Sequence, residues 1–75
     1  MRIDNVNYWL LMIRNEDILG EKPESVSVEF NTDKEAAILT AKFKDGIATQ
    51  NILMKELEHL VNEEVKPNNN HWTRN

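Results

Sequence analysis

The chain has 75 residues, no cysteine and a formal net charge of −4, from 13 acidic and 9 basic side chains. This length suits one small domain, which buries only about 60 to 65% of its unfolded surface and often needs a second chain for stability. The absence of cysteine excludes disulfides, thiol chemistry and cysteine-ligated zinc. The negative charge disfavours nonspecific nucleic-acid binding, which depends on cations.

The beginning of the chain matches neither a secretory leader nor a membrane span. Arg2 is its only base, and Asn5 and Asn7 interrupt the apolar sequence. We therefore expect a cytoplasmic protein with no membrane partner.

The first predicted element is a helix over residues 5–19, with Asp4 or Asn5 as its N-cap and Gly20 just after its end. Residues 8–13 are all apolar and leave this helix without a polar face, so it needs burial nearly all round. One apolar stripe can pack on the chain's own sheet. We expect another to form a homodimer interface, made of Tyr8, Leu11, Met12 and Leu19.

The middle of the chain alternates between apolar and polar residues. Residues 25–30 place Val26, Val28 and Phe30 on one side, as in a half-buried strand. Residues 31–34 supply turn chemistry, and residues 35–44 alternate again as the returning strand of a hairpin. Because two strands alone are marginal in water, we expect the hairpin to rest on the helices or to join a second copy's hairpin in a four-stranded sheet.

A second helix is predicted from a cap at Asp45 or Thr49 to about Val65, with one apolar stripe of ordinary width. Glu63 and Glu64 fall in its last turn, where the helix dipole disfavours anions. After Pro67 the chain is polar and aperiodic, so residues 67–75 are predicted to be a flexible tail. Trp72 in that tail either folds back, hangs in solvent, or anchors a partner.

Acidic residues are concentrated in two segments of the chain. Residues 16–35 hold seven acids against two bases, and residues 56–65 hold four acids and no base. Such clusters attract a basic partner, although excess acid can also serve only to keep a small domain soluble. The predicted contact surface comprises Glu16, Asp17, Glu21, Glu24, Glu56, Glu58, Glu63 and Glu64.

No residue pattern indicates catalysis, a cofactor or a metal site. Ser25 and Ser27 alternate with core positions on a strand, and neither has an oriented base. His59 and His71 are read as surface residues, with no third imidazole to complete a metal site. Two glycines cannot form a phosphate-binding loop, and Glu56 with Glu63 is explained by a solvated helix face. We therefore expect a chain that is not an enzyme.

The predicted fold is an α+β domain over residues 1–66 with α-β-β-α order, in which two helices pack on an antiparallel hairpin. The predicted function is noncatalytic: an acidic inhibitor or regulator that occludes a basic surface of another protein, such as a DNA-binding one, in the manner of a DNA mimic. Small acidic proteins of this character are often phage-borne, which is an analogy only.

Two alternatives use other features of the chain. One is nucleic-acid binding by Lys34, Lys42 and Lys44, together with Lys55 and the basic tail residues, with Phe43 or Trp72 stacking on bases. The other is a structural accessory subunit, in which the extra stripe of the first helix meets a different chain.

Overall fold

A computed structural model describes residues 2–75 and shows a small α+β domain, which confirms the predicted fold class. Its four strands form one antiparallel sheet in the order β1-β2-β3-β4. One chain supplies all four strands, so the four-stranded sheet does not need a second copy. The elements are α1 (Ile3–Arg14), β1 (Ser25–Asn31), β2 (Ala36–Phe43), β3 (Gly46–Leu53), α2 (Met54–Glu63), a 3-10 turn (Asn69–His71) and β4 (Thr73–Arg74).

The core lies between the two helices and one face of the sheet. Alternate residues of β2 and β3 point into it, and Ala37, Leu39 and Ala41 have no exposed surface. α1 contacts β1, whereas α2 contacts β2 and β3. The other face of the sheet has no covering element within residues 2–75. From the helices the core receives Val6, Trp9, Ile13, Leu57 and Val61.

The first helix is shorter than the predicted span of residues 5–19, because α1 ends at Arg14. Ile18 and Glu21 exchange backbone hydrogen bonds of 2.9 and 3.1 Å, which close a tight turn. Leu19 and Gly20 lie within it at φ 54° and 82°, the left-handed values that a two-residue hairpin turn requires. The turn buries Ile18, which is 2% exposed, so Ile18 joins the core from a loop rather than from the helix.

The first hairpin agrees with the sequence. β1 and β2 pair in antiparallel register from Ser25 with Lys42 to Asn31 with Ala36. In the turn, the Asn31 side chain accepts a hydrogen bond of 3.2 Å from the backbone of Lys34. The predicted turn over residues 31–34 is therefore confirmed.

The second helix does not begin at Asp45 or Thr49, because residues 46–53 form β3. Gly46 has φ 154°, a conformation that side-chain-bearing residues rarely adopt, and it lets the chain reverse directly after Asp45. β3 then pairs with β2 from Phe43 with Gly46 to Ala36 with Leu53. The order is therefore α-β-β-β-α-β rather than α-β-β-α.

The C-terminal residues lie on the domain instead of extending away from it. Trp72 is 6% exposed, and Thr73–Arg74 forms β4 on the edge of β3. Buried Gln50 donates a hydrogen bond of 3.0 Å to the carbonyl of Asn68. The Arg74 guanidinium lies 4.3 Å from the centre of the Phe43 ring and 2.5 Å from Asp45 Oδ1. These contacts correct the expectation of a flexible tail over residues 67–75, and of the three outcomes considered for Trp72 they show that it folds back onto the domain.

Neither helix within residues 2–75 combines the length and the apolar character needed to cross a bilayer.

The two buried tryptophans differ in hydrogen bonding, which gives a matched pair of variants. Trp9 Nε1 donates to the carbonyl of Val65 at 2.7 Å, whereas Trp72 Nε1 has no partner among residues 2–75. We expect Trp9→Phe to lower the free energy of unfolding by about 1 to 2 kcal/mol more than Trp72→Phe, because only Trp9→Phe leaves a carbonyl unpaired. Urea unfolding followed by circular dichroism measures the difference. Equal losses would contradict this assignment.

Candidate functional site

A hydrogen bond from Trp9 joins α1 to the chain just beyond α2. Trp9 is 1% exposed, and its indole donates to the Val65 carbonyl at 2.7 Å. The chain reaches this point because Glu64 adopts a left-handed conformation, with φ 55°, directly after α2 ends. The backbone of Val65 then donates to the Leu60 carbonyl at 2.9 Å, which closes the helix end. Residues 64–66 are thereby held beside α1.

A cleft forms between α1 and this segment, and we call it the α1–α2 cleft. It encloses about 790 Å³. Its apolar side chains are well exposed, with Tyr8 at 59%, Leu11 at 54% and Val65 at 48%. The residues lining it are Tyr8, Leu11, Met12, Asn15, Glu16, Glu64, Val65 and Lys66.

The polar part of the α1–α2 cleft carries both signs of charge. Lys66 forms an ion pair with Glu16, which ties the chain after α2 to the chain after α1. Glu64 has no ion-pair partner among residues 2–75. Two further exposed acids are adjacent in sequence: Asp17 follows Glu16, and Glu63 precedes Glu64. The cleft is therefore apolar in its middle and acidic on balance at its margin.

The backbone conformation and the electrostatic environment at position 64 are both unfavourable for glutamate. Its left-handed backbone suits glycine, because a Cβ atom adds roughly 1 to 2 kcal/mol there. The negative end of the α2 dipole also repels its carboxylate, by about 0.3 to 1 kcal/mol. No ion pair within residues 2–75 offsets these terms. An acidic residue in a locally unfavourable position at the margin of an exposed apolar cleft is a candidate for function.

The structure brings together only part of the predicted acidic surface. Glu16 and Glu64 line the α1–α2 cleft, and Glu63 ends α2 beside them. Glu56 lies in the first turn of α2, about 10 Å along the helix from Glu63. Glu21 faces Arg74 at 4.0 Å, and Glu24 immediately precedes β1. Glu58 is an exposed residue of α2, and Asp17 follows Glu16 in the loop after α1.

Three of the four residues predicted to form the dimer interface share the α1–α2 cleft. Tyr8, Leu11 and Met12 line it together. Leu19 lies in the turn after α1, beyond the end of the helix, so it is not part of the predicted stripe. Sequence reasoning missed Asn15, Val65 and Lys66, because their place in the cleft depends on how the chain turns after each helix.

The lysines of the nucleic-acid alternative are not gathered at one end of the sheet. Lys34 lies in the β1–β2 turn near Lys55, whereas Lys42 and Lys44 lie at the opposite end of β2. Lys66 and Arg74 are engaged by Glu16 and by Asp45. The proposed stacking residues are buried, with Phe43 at 2% and Trp72 at 6% exposure. In this structure the two aromatic rings of the nucleic-acid alternative are therefore shielded from solvent, and Lys34 is separated from Lys42 and Lys44 along β2.

His59 is an exposed residue of α2, and His71 is exposed at the end of the 3-10 turn. Among residues 2–75, no three histidine, aspartate or glutamate side chains are close enough to hold a metal ion.

Comparison with known proteins gives no family assignment. No protein-family model, curated protein or solved structure matches the chain. Function is therefore inferred from the molecular surface alone.

Replacing Glu64 with glycine should stabilise the protein. Glu64→Gly relieves both the left-handed backbone strain and the unfavourable dipole interaction, so the free energy of unfolding should rise by about 1 to 2 kcal/mol, after allowance for the greater freedom of glycine in the unfolded chain. Chemical denaturation of the variant and the wild type measures the change.

Glu35→Gly is the matched control, because Glu35 also has a left-handed backbone, at φ 49°, but lies in the β1–β2 turn. It loses the same charge and should gain only about 0.5 to 1 kcal/mol. A Glu64→Gly protein that is no more stable than the wild type would mean that Glu64 is not under strain.

Proposed function

We propose that this chain is a noncatalytic protein-binding module whose α1–α2 cleft holds a basic, amphipathic segment of a partner protein. The observation that carries this proposal is Glu64, an unpaired acid held at an unfavourable helix end beside exposed apolar side chains. By covering a basic segment, the module blocks whatever that segment otherwise binds, including nucleic acid. It thereby acts as an inhibitor or regulator.

The apolar part of the cleft supplies most of the proposed affinity. Tyr8 and Leu11 are each more than half exposed on one face of α1, and Val65 extends the same surface beyond α2. A partner helix recognised in such a groove inserts apolar residues spaced three and four apart. Aromatic residues like Tyr8 are common among the strongest contacts of interfaces.

The charges select which apolar segment binds. A partner lysine or arginine reaches Glu64, and a second cation competes with Lys66 for Glu16. The further acids of α2 and of the loop after α1 extend the negative field, which speeds the approach of a cationic partner. Charge governs selectivity and encounter here, while the apolar contacts govern how long the complex lasts.

The same acids can be explained by solubility alone, and that reading makes a different prediction. If solubility is their only role, ligand binding depends on net charge and not on any one residue. If the α1–α2 cleft is the site, binding depends on both Leu11 and Glu64 and is insensitive to equivalent residues elsewhere.

A model peptide separates these two readings. The probe is a fluorescent amphipathic helix of about 14 leucine and lysine residues, four helical turns, and its control is a scrambled peptide of identical composition. We expect fluorescence anisotropy to show tighter binding of the amphipathic peptide, with affinity that falls as salt rises. Leu11→Ala should weaken binding about five- to tenfold, and Glu64→Gln about two- to fivefold.

Two matched variants serve as controls for these changes. Ile38 is 40% exposed on the open face of the sheet, and Glu29 is an exposed acid of the same face. Ile38→Ala and Glu29→Gln should leave peptide affinity unchanged. Equal effects from both pairs of variants, or equal binding of the scrambled peptide, would contradict the proposed site. A wild type that ignores the peptide but loses a dimer on Tyr8→Ala, which alters the cleft away from the β1 edge, would assign the cleft to self-association.

A further inference from the structure

Within residues 2–75, β4 pairs with the outer side of β3, whereas the outer side of β1 has no paired strand. β4 pairs with Ala48 and Thr49 on the outer edge of β3, and the backbone of Asn75 donates to the Ile47 carbonyl at 2.9 Å. β1 is the last strand at the other edge, and no strand within residues 2–75 pairs with its outer side. A row of backbone N–H and C=O groups is therefore available there to another strand.

Along Ser25–Asn31, β1 lacks three of the features that usually prevent such pairing: proline, lysine and a very short length. Natural edge strands are protected by proline, by lysine, by a bulge or by being very short. β1 has seven residues and contains neither proline nor lysine, and its single charged residue is Glu29. Pro23 lies before the strand and leaves its pairing groups free.

Apolar surface continues from this edge toward α1. Phe30 is 38% exposed and Val26 and Val28 are half-buried, although all three point to the core face of the sheet. Ile3, at 65% exposure, lies with Phe30 around one depression at the start of α1. The core is thus incompletely covered along the β1 edge.

We propose that two copies of this chain pair through antiparallel β1 strands, which extends the sheet to eight strands. The register places Val28 on the two-fold axis, so that Val26 lies opposite Phe30 of the second copy. In the same register Ser27 lies opposite Glu29 of the second copy, and Ser25 lies opposite Asn31. Apolar residues then meet apolar residues on the core face, and no like charges are opposed on the open face.

The charges of α1 favour a second copy over an unrelated strand. α1 runs roughly antiparallel to β1, since Ile3 lies near Phe30 and Arg14 lies near Ser25. A two-fold axis perpendicular to the sheet makes the two α1 helices antiparallel on one face. Asp4 at one end of α1 is then directed toward Arg14 at the far end of its copy. This interface is centred on the β1 edge and goes beyond the proposed function, and it shares only Leu11 with the α1–α2 cleft, because Leu11 also lies beside Ser25 and Val26.

Sedimentation equilibrium of the wild type and three variants tests the register directly. We expect the wild type to dimerise. Ser27→Glu sets a carboxylate opposite Glu29 of the second copy at two symmetric places, and should weaken the dimer roughly two- to thirtyfold. Ser27→Lys should tighten it by a similar factor. The control is Asn51→Glu, an exposed position on the same sheet face but on β3, which adds the same charge and should leave dimerisation unchanged.

Each outcome decides the proposal. Opposite effects of Ser27→Glu and Ser27→Lys, with Asn51→Glu unchanged, support β1 pairing. A wild type that stays monomeric at several hundred micromolar overturns it. A dimer that responds to Ser27→Glu no more than to Asn51→Glu also overturns it and places the interface on another surface. Circular dichroism of each variant checks that the domain remains folded.

Discussion

The hydrogen bond between the Trp9 indole and the Val65 carbonyl sets the arrangement of the two helices. It joins the middle of α1 to the second residue beyond the end of α2, at the boundary between the buried Trp9 side chain and the exposed Val65. Because an unpaired buried indole N–H costs free energy, this bond favours the observed position of the segment after α2. The left-handed Glu64 brings the chain to this contact, and the ion pair of Lys66 with Glu16 and the α1–α2 cleft lie beside it.

The helices and β4 cover only part of the sheet. A chain of 75 residues provides two helices for one sheet face and a short strand for one sheet edge. The remaining surfaces stay accessible: the α1–α2 cleft, the β1 edge and the open sheet face. The first two carry exposed apolar side chains. We propose a different partner for each: a cationic segment of another protein for the cleft, and a second copy of the chain for the edge.

Local patterns predicted β1, β2 and their turn, because these depend on alternation and on turn residues. A 3.6-residue period also predicted the part of the second helix that forms α2. The same reasoning could not identify β3. Leu53 and Met54 continue the helical stripe of α2, and Asp45 with Gly46 suits a helix cap as well as a hairpin turn. Burial of Trp72 rests on contacts with residues far away in sequence, which no local period records. Most of the candidate acids were identified from charge clusters, but their grouping at the cleft depends on the left-handed backbone of Glu64.

We propose that the α1–α2 cleft is a surface for a basic partner, which can be tested residue by residue. The ¹⁵N-labelled protein is titrated with the amphipathic leucine and lysine peptide and followed by amide correlation spectra. If the cleft binds the peptide, the largest shifts should fall on Tyr8, Leu11, Met12 and residues 64–66. Shifts centred instead on Thr40, Lys42 and Ile47 of the open sheet face would contradict it.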